Sequence, residues 1–299
     1  MKPYLTILRP ANCLMSVIAV IVGGLLVLKT FSFPLIPASI TAFLIAGAGN
    51  VINDYIDIEA DKINKPKRPI PSGETKPKTA LAYSAILFVF GIAFSFATTP
   101  LAIAIALVNS VLLVLYARYL KNMMFLGNFI VSYLVGSTIL FGSAAVVASS
   151  NAQIFTLPLL LMALSTLSNF SREIVKTLED LEGDRLAFIK QAVRKAKARI
   201  LQKFHIEKGE TKFKYSQRFT IGVAVASLLL SAAISPLPYL LRLLGPSYLV
   251  VLVPTDLTFL YAAYLLAFSE SKTKFTKTSK LIKVGMFLGL LAYLIGVLV

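Results

Sequence analysis

Residues 79–117 read TALAYSAILFVFGIAFSFATTPLAIAIALVNSVLLVLYA, a run without one Asp, Glu, Lys or Arg. A helix crossing the hydrocarbon core of a bilayer needs about 20 apolar residues. This run holds two crossings, and Thr98-Thr99-Pro100 in its middle supplies the turn between them. The same reading extends outward in both directions. Pro10–Leu28 and Thr30–Asn53 are charge-free on the N-terminal side. On the C-terminal side Asn122–Ser171 is again of double length, divided by Ser149-Ser150-Asn151, and Phe219–Ser235, Ser247–Phe268 and Leu281–Val299 follow. Nine spans are predicted. Strand alternation of the barrel type is absent, and a helix satisfies its own backbone polar groups in lipid. The expected fold class is therefore all-α, a polytopic membrane protein.

Composition agrees. The 299 residues are 57% hydrophobic and 15% charged, with a mean hydropathy of +0.78; soluble domains have about 45–50% apolar and 25% charged residues. Too few polar side chains are present for a disordered chain, and no soluble core could bury this much apolar surface. The net charge of +16 would suggest nucleic acid in a soluble protein. Here it reads as cytoplasmic loops meeting anionic headgroups, and no nucleic acid is expected. Cys13, the single cysteine, excludes an intrachain disulfide and a multi-cysteine metal site. His205, the single histidine, lies in a basic stretch and reads as a surface residue. The first apolar run lacks a small-residue cleavage site and does not read as a signal peptide.

Charge placement tests the span count independently. With the N-terminus inside, 28 of the 30 Lys and Arg fall on the inner side, and only Lys29 and Arg242 fall outside. A miscounted helix would scramble that bias, so the expected topology has a cytoplasmic N-terminus. The chain reads as a single transmembrane domain, 1–299, with cytoplasmic cap loops at about 57–79, 119–124, 176–218 and 269–280.

Ten of the 14 acids form two clusters, both at cytoplasmic helix ends. The first lies in Asn53-Asp54-Tyr55-Ile56-Asp57-Ile58-Glu59-Ala60-Asp61. On one helix Asn53, Asp57 and Asp61 fall at about 0°, 40° and 80°, with Asn50 at about 60° and Asp54 at about 100°. That is a ladder of oxygen ligands. The second runs from Glu173 to Asp184. Relative to Glu173, Asp180 falls at about −20°, Asp184 at about +20° and Asn169 at about −40°, although Gly183 is expected to loosen the final turn. Carboxylates at i and i+4 repel unless a cation intervenes. Oxygen ligands without Cys or His favour Mg²⁺ or Ca²⁺, and Mg²⁺ completes its shell with phosphate oxygens. Lys62, Lys65, Lys67 and Arg68 follow the first row, and Arg172 and Lys176 accompany the second; Arg suits forked contacts with phosphate. Acids and bases together read as a diphosphate held through metals. A solvated membrane-surface anchor is the plain alternative for either cluster alone.

The stretch from Gly49 to Asp61 resembles the Asn-Asp-x-x-Asp-x-x-x-Asp motif of UbiA-type intramembrane prenyltransferases. Lys62-Ile63-Asn64-Lys65-Pro66-Lys67-Arg68-Pro69-Ile70-Pro71-Ser72-Gly73 is similar to the loop that follows it, and Asp180 and Asp184 resemble the second Asp-x-x-x-Asp motif. Arg9-Pro10 with Asn12, Tyr116 with Lys121, and Gly127-Asn128 resemble further landmarks. The likeness is dense from 9 to 185 and strongest to the archaeal ether-lipid branch. It implies nine helices around a central cavity, Mg²⁺ as cofactor and a prenyl diphosphate donor. Asn53, Asp57 and Asp61 would hold one Mg²⁺, and Asp180 and Asp184 a second. Arg68, Lys121 and Lys176 would neutralise the leaving diphosphate, with Asp54, Tyr116 and Arg172 in the substrate site and Asn12 and Asn50 orienting the acceptor or the diphosphate. Donor geranylgeranyl diphosphate and the hydroxyl of geranylgeranylglyceryl phosphate are the implied substrates, in the cell membrane with the site toward the cytoplasm. No obligate protein partner is inferred. An aromatic quinone precursor is the alternative acceptor, and a transporter the non-enzyme alternative.

The chain departs from the pattern twice. Thr177 stands where relatives often carry another Asp, and a long basic insert follows Asp184. Within that insert Ile189, Val193, Ala196, Ile200 and Phe204 recur at helical spacing, the pattern of a basic amphipathic helix on the membrane; an active-site lid is the rival. Asp256, after Pro254 in span eight, is expected to bond backbone freed by the proline, with acceptor binding as the other possibility.

Overall fold

The computed structural model describes residues 2–121, 123–147, 152–199, 216–271 and 273–299, with the backbone alone at 2, 60, 63, 64, 152 and 181–199. The described chain is helical, with no strand. Its elements are α1 (Lys2–Leu8), α2 (Pro10–Leu28), α3 (Leu35–Ile56), α4 (Ile58–Asn64), α5 (Pro77–Ser95), α6 (Pro100–Leu115), a π-helical turn (Tyr116–Leu120), α7 (Met124–Val146), a 3₁₀ turn (Ala152–Phe155), α8 (Thr156–Arg199), α9 (Gln217–Ile234), α10 (Leu237–Leu240), α11 (Pro246–Phe268) and α12 (Lys274–Leu298). Among the described residues nine helices are long and apolar enough to cross a membrane, and they coincide with the nine predicted spans.

Local chemistry sets the starts. Pro10, Pro77, Pro100 and Pro246 occupy the first helical position, where a missing N–H costs nothing. The Thr99 hydroxyl accepts the Ala102 N–H at 3.2 Å, and Ser216 accepts that of Phe219 at 3.2 Å. Large apolar side chains face outward, Val250 (74% exposed) and Phe90 (56%) among them, as a lipid-facing surface requires. Inside, α2 meets α7 at backbone distance: a Cβ on Gly23 would overlap the Ile139 carbonyl, and one on Gly142 that of Val20. The Ser143 hydroxyl donates to the Gly23 carbonyl at 2.6 Å across the same contact. The helices α3 with α5, α7 with α8 and α11 with α12 pack along their lengths, around one elongated cavity of about 630 Å³.

Two expectations need correction. The first acidic row does not lie on one uninterrupted helix. The chain hitches at Asp57 (φ −85°, ψ 7°), where α3 ends and α4 begins. There it leaves the apolar run, and the new first turn carries Glu59 and Asp61, acids that suit a helix N-terminus. Second, residues 176–218 are not a loop as far as they are described. Helix α8 runs unbroken through Gly183 to Arg199, so residues 186–199 prolong span six. One interior glycine costs a helix only about 1 kcal/mol, and the Leu, Ala, Lys and Arg beyond it are strong helix formers. Residues 200–215, His205 among them, lie outside the described residues.

Candidate active site

Charged side chains from six parts of the chain converge at one end of the cavity. Asn53 and Asp57 come from the end of α3, Asp61 and Lys65 from α4 and its C-cap, Arg68 from the following turn, and Tyr116 and Lys121 from the π-helical turn. Asn169, Arg172, Glu173, Lys176, Thr177 and Asp180 come from α8, and Arg9 and Asn12 from the α1–α2 junction; all of these line the cavity. The two acidic rows therefore face a shared space. The side chain of Asp184, the last expected ligand, lies outside the described residues.

Ion pairs hold this end together. The Lys121 ammonium bonds the Asp57 carboxylate. Arg68 reaches Asp61 at 2.5 Å and Asp54 at 2.9 Å, and Arg9 bonds the same Asp54 oxygen. Asp54, expected in the substrate site, is buried behind these two arginines and does not line the cavity. It follows Asn53 by about 100° of helix rotation, which turns it from the cavity into the wall. Its place is to hold Arg9 and Arg68. On the opposite wall Glu173 accepts from Arg172 at 2.9 Å and from Lys176 at 3.0 Å. The buried Nε of Arg172 has no hydrogen-bond partner among the described residues.

The π-helical turn explains how Tyr116 and Lys121 share the site. Five residues of α-helix would set them about 140° apart. The Lys121 N–H instead reaches the Tyr116 carbonyl at 3.0 Å, an i to i+5 closure that stacks the two residues on one side. Gly127 receives this turn, since a Cβ there would overlap the Leu120 carbonyl and crowd Lys121. Asn128 donates to the Thr177 hydroxyl at 3.4 Å, and that hydroxyl donates to the Glu173 carbonyl at 2.9 Å. Thr177 thus ties α7 to the acid-bearing stretch of α8. Asn50 lines the cavity while donating to the Leu8 carbonyl at 2.8 Å, so it also anchors α1.

Arg9 and Glu173 were not expected as site residues. Arg9 sits at φ +55° between α1 and α2, a left-handed conformation costing a non-glycine residue about 1–2 kcal/mol, and its ion pair with Asp54 offsets that cost. The signal in sequence was its position, a charge touching the first apolar run. Glu173 was legible on the second face as an acid; its role as the counter-ion of two cations was not.

Among the described residues no three acidic, histidine or cysteine side chains form a metal cage of their own. That donor set still fits Mg²⁺, which takes one or two carboxylates and completes its octahedron with phosphate oxygens and water. Asn53, Asp57 and Asp61 on one wall and Asp180 on the other offer hard oxygens, and the cations between them match a polyanion. Beyond this charged end the cavity continues as a slot lined mainly by apolar side chains, Ile45, Leu134, Leu164 and Phe259 among them.

Known proteins share this plan. The model of the UbiA prenyltransferase family matches residues 16–291. The digeranylgeranylglyceryl phosphate synthase of Methanosarcina mazei is 37% identical over 310 residues, covering 99% of this chain and 98% of that protein. A solved structure of digeranylgeranylglyceryl phosphate synthase superposes with a TM-score of 0.77 at 34% identity, covering 99% of this chain and 98% of the other. A UbiA homologue from Archaeoglobus fulgidus bound to GPP and Mg²⁺ has the same fold, with a TM-score of 0.66, 13% identity, and 97% and 99% coverage.

Proposed function

The chain belongs to the UbiA prenyltransferase family, and we propose that it moves a geranylgeranyl group from its diphosphate to the hydroxyl of geranylgeranylglyceryl phosphate, in archaeal ether-lipid synthesis. One observation carries this reading: acids and bases from opposite walls meet at the head of an apolar slot. A diphosphate with a long hydrocarbon tail has that same polarity. Relatives sharing the whole length of the chain bear the name of this synthase, which supports the choice of acceptor.

In this reading Asn53, Asp57 and Asp61 hold one Mg²⁺, and Asp180 with Asp184 a second. The metal, when bound, supplies Lewis-acid charge neutralisation of the diphosphate oxygens. Lys121 and Lys176 exchange their present carboxylate partners for those oxygens, and Arg68, anchored by Asp54, adds a forked contact. Preorganised cations of this kind stabilise charge as it develops on the departing diphosphate. The bond from the prenyl C1 to the diphosphate oxygen breaks and leaves an allylic cation. The acceptor hydroxyl oxygen bonds to C1, and its proton leaves with the diphosphate. Asn12 and Asn50 orient the acceptor or the diphosphate, Tyr116 and Arg172 complete the charged mouth, and the apolar slot keeps water from the cation.

The site faces the cytoplasm in the cell membrane, with the N-terminus inside. The chain acts as one transmembrane domain over 1–299, with cap segments after α3, α6, α8 and α11. The test is direct. Purified protein receives Mg²⁺ and geranylgeranyl diphosphate with geranylgeranylglyceryl phosphate or an aromatic acid, and the lipid product is identified by mass. The doubly prenylated glyceryl phosphate is expected, and chelation abolishes it. Product from the aromatic acid alone would overturn the acceptor assignment, and no prenyl product from either would overturn the reaction.

A further inference from the structure

One cation of the cavity stands apart from the diphosphate mouth. Seven Lys and Arg side chains line the cavity. Five are paired with carboxylates, and Lys65 follows Asp61 on the acidic wall. Lys283, on α12, makes no ion pair among the described residues. Asp256, the other charge beyond the mouth, is not its counter-ion. That carboxylate accepts the Ser235 hydroxyl at 2.7 Å, where a bond to backbone freed by Pro254 was expected. Two contacts fix the depth of Lys283. Thr276 of α12 donates to Glu179 of α8 at 2.6 Å. Seven residues inward from that bond stand Lys283 on one helix and Arg172 on the other, each at about 10 Å by helical rise. The buried Nε of Arg172 has no hydrogen-bond partner among the described residues. On the other flank, Ala19 of α2 and Leu290 of α12 belong to one apolar cluster, and seven residues back along each helix come Asn12 and Lys283. Farther from the mouth the same cluster seals α2 to α12 through Val22, Leu26, Tyr293 and Val297. Nearer the mouth the lining residues of both helices are exposed, Asn12 and Met15 on α2, Lys283 and Phe287 on α12. The cavity is thus open between two membrane-spanning helices at the level of Lys283.

We propose that Lys283 binds the phosphate of the acceptor lipid. The inference rests on the prenyl-transfer reading above. The acceptor of that reading carries its chain, its phosphate and its free hydroxyl on the three carbons of one glycerol. Its phosphate therefore lies within a few bonds of the reacting oxygen, beside the mouth, while its chain stays in hydrocarbon. The flank between α2 and α12, inward of the diphosphate cations and open to lipid, meets both demands. A cation inside a span is costly and marks a functional site by default. An ammonium offers phosphate a compact charge with three donors, and on a helix its stem leans toward the N-terminal end, here toward the mouth. The other cations of the mouth are taken up by carboxylates or by the donor diphosphate, whereas Lys283 has no carboxylate to release. The Nε–H of Arg172 is a further donor at the same depth.

The experiment separates the two substrates. Purified native protein, Lys283→Met, Lys283→Gln and Lys283→Arg receive Mg²⁺, with geranylgeranyl diphosphate and geranylgeranylglyceryl phosphate each varied at saturation of the other and product measured by mass. Lys283 is exposed, so no packing is lost, and unfolding temperatures confirm that the variants fold. Lys283→Met and Lys283→Gln should raise the KM of the acceptor about tenfold or more, the worth of a charged hydrogen bond, while the KM of the donor stays near native. Lys283→Arg, which keeps the charge, should return the acceptor KM close to native. An unchanged acceptor KM in the Met and Gln variants would leave Lys283 as a headgroup anchor and overturn the inference while the reaction stands. A donor KM raised as far as that of the acceptor would overturn it too, assigning Lys283 to the diphosphate, as would an Arg variant as impaired as the Met one. Native protein that gives no product from this acceptor would instead overturn the reaction and the inference with it.

Discussion

Five cations at the mouth, Arg9, Arg68, Lys121, Arg172 and Lys176, are each held by a carboxylate, and the proposed reaction frees Lys121 and Lys176 from theirs. Asp57 is the sharpest case, because its partner Lys121 is also the candidate for the leaving diphosphate. Asp57→Ala should therefore cost about 10²–10³-fold in kcat with the fold kept, and Lys121→Met a similar factor, the usual loss when one charge-stabilising group is removed. Single-turnover assays on detergent-purified variants check this, and Asp57→Ala with native turnover would remove it from the metal set. Asp54 should behave differently. It is 4% exposed in its side chain and carries two arginines, so Asp54→Ala leaves two cations facing a buried gap. A loss of about 3 kcal/mol is expected, as for breaking a buried pair from one side, seen as a lower unfolding temperature as well as lost activity. The oxygen ligands at Asn53, Asp57 and Asp61 were legible because their spacing repeats the helical period. The burial of Asp54 was less so, since residues one position apart share a motif while facing different ways.

The element that seats Lys121 is the π-helical turn, and no residue pattern announces it. The sequence Tyr116-Ala117-Arg118-Tyr119-Leu120 reads as ordinary helix, whereas in the structure it forms the wider turn against which Gly127 of α7 packs. Gly127 is where that docking is enforced, which gives its likeness to a family landmark a physical reason. Gly127→Val should push the Leu120 carbonyl away and carry Lys121 with it. A displacement of about 1 Å at a reacting site can cost about 10²-fold in rate, while an overpacked contact costs about 1–3 kcal/mol. The expected result is a large fall in kcat beside a modest fall in thermal stability; a loss of stability alone would show that the turn is not coupled to the chemistry. The same distinction explains the other misread elements. Spans are legible because charge is excluded from them. The hitch at Asp57 and the run of α8 past Gly183 are settled by tertiary contacts and by where the chain leaves the apolar layer, neither of which a helical period records.

At the scale of the whole molecule, the charge asymmetry and the cavity make one argument. The acids and bases of the candidate site gather at the mouth of the cavity, and by the span count 28 of the 30 Lys and Arg fall on that same side of the sequence's apolar runs. The opposite rim bears Lys29 and Arg242, brought beside one another where α2 and α10 end. If the basic end faces the cytoplasm, a water-soluble diphosphate can reach the mouth from that side, while hydrocarbon tails stay below the headgroups. Orientation can be read without any assay of activity. Cys13 is buried, so in a Cys13→Ser background single cysteines can report one side each. Thr30→Cys and Arg242→Cys, both exposed on the far rim, should react with a membrane-impermeant maleimide added outside intact cells. Ser72→Cys, exposed on the basic side, should react only after the membrane is opened. Substrate offers a second readout, because geranylgeranyl diphosphate and Mg²⁺ added to the medium should protect none of the outer positions yet slow labelling of Lys65→Cys, which lines the mouth, in opened membranes. The reverse labelling pattern would place the charged mouth on the outer face, where the cytoplasmic supply of donor could not enter it.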